Sequence, residues 1–310
     1  MEAAIETARL WEEREFPPAP CDIPAPGKGQ RGSSIPVTPE ILADMAVQAL
    51  LDEVDLTPKP GLVDQRGSGA HTDLTRDLMH RSAVSLWPCF RSMARVARQP
   101  PPYAALREEL GAIGREGEVS MFAATDGCNT HKGAIWALGL LTAGASICHK
   151  TQNPFEAATV AGEIARYPDR HAPRLPTNGS KAVKQYGVDG ARGEAQTGFP
   201  HVIRIGLPAL WTARRRGVPE DKARLDALVA IMAELDDTCV LHRGGARALA
   251  TVKQGALAVL FMGGTGTPRG AATLLDLDKE LLSLGVSPGG SGDLLAATLF
   301  LDSLATGLNL

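Results

Sequence analysis

No CxxC pair, no membrane-length apolar run and no excess of either charge occurs in this chain of 310 residues. The five cysteines, Cys21, Cys89, Cys128, Cys148 and Cys239, are scattered. An odd, unpaired set reads as reduced thiols in a cytoplasmic protein, not as a disulfide framework or a zinc site. Net charge is −3, so no global attraction to nucleic acid or a membrane surface is expected. Aromatic residues make up only 5% of the chain. None is interleaved with the basic residues in the pattern that single-strand binding uses. The stretch "MEAAIETARLWEEREF" is acidic and amphipathic, the opposite of a signal peptide. The longest apolar run, Gly133 to His149, holds three glycines and is short for a membrane span, so it reads as a buried core helix. A Walker "GxxxxGK[ST]" motif, a βαβ alternation and a fixed-period repeat are all missing.

What is present is a helix-forming chain, 44% hydrophobic and 22% charged, with enough apolar residues for a substantial core. Pro and Gly crowd the stretch from Phe16 to Glu40, where neither helix nor sheet can propagate. This divides residues 1–37, a short helix and a Pro/Gly-rich arm, from residues 38–310, a helical domain. Thr38-Pro39-Glu40 is a helix start, with Thr38 as N-cap. Further helices are predicted over Leu74–Ala97 (bent at Pro88), Tyr103–Ala124, Lys132–His149, Pro154–Arg166, His201–Arg215, Glu220–Leu235, Thr238–Met262, Ala271–Leu284 and Ser291–Leu304. The expected fold is all-α, a single large multi-helix domain with Gly-rich polar loops forming a cleft.

Those loops carry the candidate chemistry. "EVDLTPKPGLVDQRGSGAHTD" sets Lys59 between two prolines and adds Asp64, Arg66, His71 and Asp73. "TDGCNTHKG" places Asn129, His131 and Lys132 at the start of the apolar run, where free helix amides favour an anion. Plain capping by Asn129 explains this stretch equally well. "GVDGARGEAQTGFP" reads as a mobile loop bearing Arg192 and Glu194, in a region rich in arginine. In "ELDDTCVLHRGG", Asp236 and Asp237 are hard oxygen donors suited to Mg²⁺, although one of them can serve as a cap. Asp236 and Arg243 share a face if that helix is continuous. In "GVSPGGSGDLL", Gly289, Gly290 and Ser291 open a helix whose amides suit phosphate, with Ser291 as N-cap. Asp293 in its first turn is either a cap or a metal ligand.

Five stretches, "TPKPGLVDQRGSGAHTD", "NTHKGAIWALGLL", "ARGEAQTGFP", "DDTCVLHRGG" and "PGGSGDLLAATLFLD", resemble in order the motifs of the ATP:dephospho-CoA triphosphoribosyl transferases. The resemblance runs from about Thr38 to Leu310, and Gly292 stands where much of that family is expected to carry alanine. It implies that the 2'-hydroxyl of dephospho-CoA attacks C1' of the ATP ribose and that adenine leaves. The product is the prosthetic-group precursor of an acyl carrier subunit, on the malonate decarboxylase branch in preference to citrate lyase. Mapped onto the family chemistry, Asp236, Asp237 and Asp293 become the Mg²⁺ neighbourhood. Lys59, Asn129, Lys132, Arg192, Arg243, Gly289, Gly290 and Ser291 become contacts of ATP and its triphosphate. His131, His71, Asp64 and Glu194 become the acid–base or ribose-binding group. ATP and 3'-dephospho-CoA are the expected partners, nucleic acid and membrane are not, and a homodimer stays open. A Mg²⁺-dependent ADP-ribosyl-type hydrolase and a non-catalytic nucleotide-binding module are the alternatives.

Overall fold

The computed structural model describes residues 37–173 and 176–307. The short helix expected before Phe16, and the Pro/Gly-rich arm, lie outside the described residues. Among the described residues there is no strand, only an isolated bridge between Asp64 and Gly67. No described helix is long and apolar enough to cross a membrane.

The helices follow the capping signals closely. α1 (Pro39–Asp55) starts where Thr38 Oγ1 accepts the Ile41 N–H, with Pro39 in the first turn. The run predicted as one bent helix is two, α2 (Arg76–Ser85) and α3 (Trp87–Val96), separated at Leu86. Pro88 sits in the first turn of α3, where its missing N–H costs nothing. α4 (Tyr103–Ala124) and α5 (Lys132–Ile147) match their predicted extents to within two residues. α6 (Pro154–Ala165) is capped by Asn153.

α7 (Asn178–Tyr186) precedes the stretch read as a mobile loop, Gly187–Pro200, and α8 (Gly190–Gln196) lies within it, with Glu194, Ala195 and Phe199 buried. A π-helical turn at His201–Gly206 leads into α9 (Leu207–Arg215). Then follow α10 (Glu220–Glu234), α11 (Thr238–Phe261), α12 (Pro268–Leu284) and α13 (Gly289–Thr306). α11 is broken at Gly245, so it is not one continuous helix.

Two helices form the axis of the core. α5 buries Ala134, Ile135, Leu138, Leu140 and Leu141, and α13 buries Leu295, Leu299, Phe300 and Leu301. They pack on each other, α1 packs on both, and α6 and α10 close the outer sides. Burying each such leucine contributes roughly 1.5–3 kcal/mol, so these apolar runs account for much of the stability. The consequence for function is geometric. The starts of α5 and α13 and the end of α1 meet at one place.

Candidate active site

At that meeting point the chain buries charge. Lys59, 1% exposed, reaches back to the end of α1, where its Nζ donates to the Glu53 backbone oxygen (2.6 Å) and to Glu53 Oε1 (2.5 Å). A buried lysine is tolerated only when paired in this way. Glu53 was not singled out in the sequence. An acid in the last turns of an apolar helix, followed by Pro-Lys-Pro, is the signal that would have found it.

The Lys59 loop is held rigid by carboxylates. Asp64 accepts from the Lys59 N–H (2.9 Å) and from the Arg66 backbone and guanidinium. Arg66 also reaches Asp278 Oδ2 on α12 (2.7 Å), whose other oxygen takes the Gly61 N–H. Asp64, expected in the acid–base group, is thus committed to ordering its own loop. At the outer end, Arg243 Nη2 lies 3.0 Å from His71 Nδ1, with Asp73 3.8 Å away. Burial and the Arg243 charge push His71 below its ordinary value.

His131 occupies the N-cap position of α5 and is buried. Its Nδ1 is 2.7 Å from Ser82 Oγ, and Nε2 is buried without a partner. Burial, reinforced by the Lys59 charge, depresses its pKa to about 3, so the imidazole is neutral. Asn129 Oδ1 accepts the Lys132 N–H at 3.4 Å, a long capping contact, and Lys132 Nζ pairs with Glu118 Oε2 (2.7 Å).

Asp293 faces the same point from α13. A Cβ on Gly133 would overlap its Oδ2, so the carboxyl is flush against the first turn of α5. Among the described residues no hydrogen bond reaches it. Burial, with the charges of Glu53 and Asp237, raises its pKa well above the ordinary carboxylate value. Gly292 leaves room beside it: a Cβ there would lie 3.1 Å from Glu53 Oε1.

The remaining expectations divide. Asp237 is buried and caps two helices at once. It accepts from the Cys239 and Val240 N–H groups of α11, and from the Gly290 N–H, Ser291 N–H and Ser291 Oγ of α13. The amides at Gly290 and Ser291, expected to meet phosphate, are therefore occupied by this carboxylate. Gly289 donates to the Ser287 oxygen. Ser291 is not the N-cap, since α13 begins two residues earlier. Asp236 precedes α11, is exposed and pairs with Lys253 (2.6 Å), so it shares no helical face with Arg243. Glu194 accepts the His201 N–H (2.9 Å) and lies 2.7 Å from His201 Nδ1, fastening α8 to the π turn. Burial opposes charge on His201, but the Glu194 carboxylate outweighs it and raises that pKa. Arg192 is exposed.

The residues assigned to Mg²⁺ do not fit a cation held by the protein alone. Asp237 has five protein donors on two oxygens, and Asp236 is directed to Lys253. No cluster of three or more His, Cys, Asp or Glu suited to a metal occurs among the described residues.

The family model of the ATP:dephospho-CoA triphosphoribosyl transferases matches residues 39–310. This chain belongs to that family. Similar proteins agree along nearly all of it. One from Pseudomonas paraeruginosa, named a probable 2-(5''-triphosphoribosyl)-3'-dephosphocoenzyme-A synthase, is 53% identical over 87% of this chain and 92% of its own. Relatives with the same name from Stutzerimonas stutzeri and Azotobacter vinelandii are 55% and 52% identical, each over 87% of this chain and 93% of their own. No solved structure matches the chain.

Proposed function

We infer that this chain transfers the 5-triphosphoribosyl group of ATP to the 2'-hydroxyl of 3'-dephospho-CoA and releases adenine. The observation that carries this reading is the convergence of Lys59, His131 and Asp293 from three separate segments of a chain that the family matches throughout residues 39–310. In the transfer, the bond from C1' of ATP to the purine nitrogen breaks and its electron pair leaves with adenine. A new bond forms from C1' to the dephospho-CoA 2'-oxygen, which loses its proton.

Adenine departs best when it gains a proton as the bond breaks. Asp293 suits that task, because burial and two neighbouring carboxylates favour its protonated form. After donation its negative charge faces the ribose cation, which it stabilises. His131, neutral and with Nε2 unpartnered, is suited to accept a hydrogen bond from the 2'-hydroxyl, not to act as an imidazolium acid. Lys59 and Glu53 fix the charge balance beneath them. Arg243 and His71 lie at the outer end of the loop, where a triphosphate can be held. A Mg²⁺ ion brought by ATP would neutralise part of the triphosphate charge, with few protein carboxylates needed in support.

The test is incubation of purified protein with ATP, Mg²⁺ and dephospho-CoA, followed by chromatography for adenine. Adenine should appear in step with the triphosphoribosyl product, depend on dephospho-CoA, and stop when EDTA removes the metal. Equal adenine without dephospho-CoA would identify a hydrolase. Formation of ADP or free phosphate in its place rules out both glycosyl readings. Transfer of the product to a malonate decarboxylase or a citrate lyase carrier decides the pathway, and the malonate carrier is the expected acceptor.

A further inference from the structure

Beyond Lys132, on the side of α5 facing α4, lies a cavity of about 150 Å³ to which no role has been given. Its walls carry Arg107, Arg115 and Glu118 from α4, Lys132 and Trp136 from α5, and Asp169 from the segment after α6. The Arg107 guanidinium stacks on the Trp136 indole, 4.8 Å from the ring centroid. Arg115 Nη1 bonds Asp169 Oδ2 at 2.7 Å, whereas Arg107 Nη1 is 3.8 Å from the same oxygen. Arg107 Nε is buried and has no partner. Trp136 Nε1 donates to the Ala191 oxygen (3.0 Å), which brings α8 and its Arg192 alongside. Burial, then the charges of Arg192 and Arg115, hold Arg107 below its ordinary value against the pull of Asp169.

The charges do not cancel. Arg107, Arg115 and Lys132 line the cavity against Asp169 and Glu118, an excess of one positive charge, and the exposed Arg192 adds its field at Arg107. Asp169 cannot easily be displaced to change this, because it fills the space left by the missing side chain of Gly111. An incompletely neutralised, partly buried guanidinium cluster with an unpaired donor is a site for an anion. The floor of the same cavity is apolar, formed by Leu110, Ile135 and Leu140.

We propose that this cavity binds the diphosphate diester of dephospho-CoA, with the start of its pantetheine arm against the apolar floor. The proposal rests on the triphosphoribosyl-transfer reading and names where the second substrate is held. A diphosphate diester carries two negative charges, which the net positive lining and the nearby Arg192 favour. The triphosphate of ATP carries more charge and has nothing to offer an apolar wall. The cations that the sequence grouped around one triphosphate thereby divide, with Arg243 at the loop and Lys132 and Arg192 at the second substrate.

The experiment measures dephospho-CoA binding to the full chain by calorimetry, beside steady-state KM values for both substrates. Arg107→Gln and Arg115→Gln should each weaken dephospho-CoA binding about tenfold or more, the loss expected for a charge-assisted contact. The KM for dephospho-CoA should rise in parallel, while that for ATP stays within about twofold. Arg107→Lys, which keeps the charge and loses the fork, should fall between wild type and Arg107→Gln. If Arg107→Gln does not fold, Arg115→Gln carries the same test, since its side chain is 31% exposed. Unchanged dephospho-CoA affinity in a folded variant overturns the proposal. So does a selective loss of ATP affinity, which would place the ATP phosphates in the cavity. Binding needs no turnover: a wild type that binds dephospho-CoA without releasing adenine would end the transfer reading and leave the cavity assignment standing.

Discussion

Asp237 shows how completely one carboxylate can be committed to structure. Both its oxygens accept donors, one from the start of α11 and the other from the Ser291 N–H and hydroxyl of α13. Asparagine caps a helix about as well as aspartate, but its amide would point donors at donors on one side. Asp237→Asn should therefore lower stability by about 1–3 kcal/mol in urea denaturation. Asp236→Asn breaks only a surface pair with Lys253 and should stay within about 1 kcal/mol of wild type. Equal effects would mean the double cap is not what holds α11 to α13. His131 carries the pH dependence. Its pKa is about 3 in the fold against an ordinary 6.5, so between those values the unfolded chain binds more protons. Stability must then fall as pH drops through that window. Relative to His131→Asn, the wild type should lose roughly 2–4 kcal/mol between pH 6.5 and 3, and parallel pH profiles would show that His131 protonates without penalty. Asp293→Asn should reduce turnover at least a hundredfold with dephospho-CoA binding retained. The wild-type rate should decline on the alkaline side as Asp293 gives up its proton. At this scale Lys59, His131 and Asp293 were legible as polar groups at helix starts and in a stiffened loop. Their partners Glu53 and Ser82 were not, because each sits in a helix whose sequence shows only ordinary amphipathy.

At the scale of elements, the starts of α1 and α6 were legible directly. Thr38-Pro39 before α1 and Asn153-Pro154 before α6 are local signals that need no tertiary context. α7 and α8 were not, because "NGSKAVKQY" and "GARGEAQ" are short, polar and glycine-bearing, and the Thr177 cap and left-handed Gly187 that bound α7 were passed over. The break in α11 was equally hidden. Gly245 has φ 69° and ψ −169°, a region almost closed to residues with a Cβ. It ends the first turns of α11 just beyond Arg243, which lets that side chain meet His71 while the rest of the helix packs along α10 and α12. Gly245→Ala should cost about 1–3 kcal/mol of stability and raise the KM for ATP, because Arg243 shifts with the straightened helix. Loss of stability with an unchanged KM would separate the break from the site.

For the whole molecule, the boundary of the catalytic unit can be placed between two neighbouring cuts. The family match begins at residue 39, but the folded unit begins earlier. Val37 is 7% exposed and belongs to the core, and Thr38 Oγ1 caps α1 through the Ile41 N–H. α1 ends at Asp55, just past Glu53, the partner of Lys59, so fraying it would loosen the floor of the candidate site. A chain starting at Val37 retains both features and every candidate site residue. It should fold, melt as a cooperative unit and release adenine at a rate within about threefold of the full chain, since nothing it lacks enters the proposed chemistry. A chain starting at Pro39 loses the cap and a buried valine. It should be less stable by about 2–4 kcal/mol, from roughly one for the cap and one to three for the side chain. Its turnover at low temperature should nevertheless approach that of the longer form, because the site residues themselves remain. Denaturation midpoints and adenine release measured on both chains decide the matter. If the chain starting at Val37 folds but does not turn over, residues 1–36 take part in the reaction or in the active assembly, and the catalytic unit is the full chain.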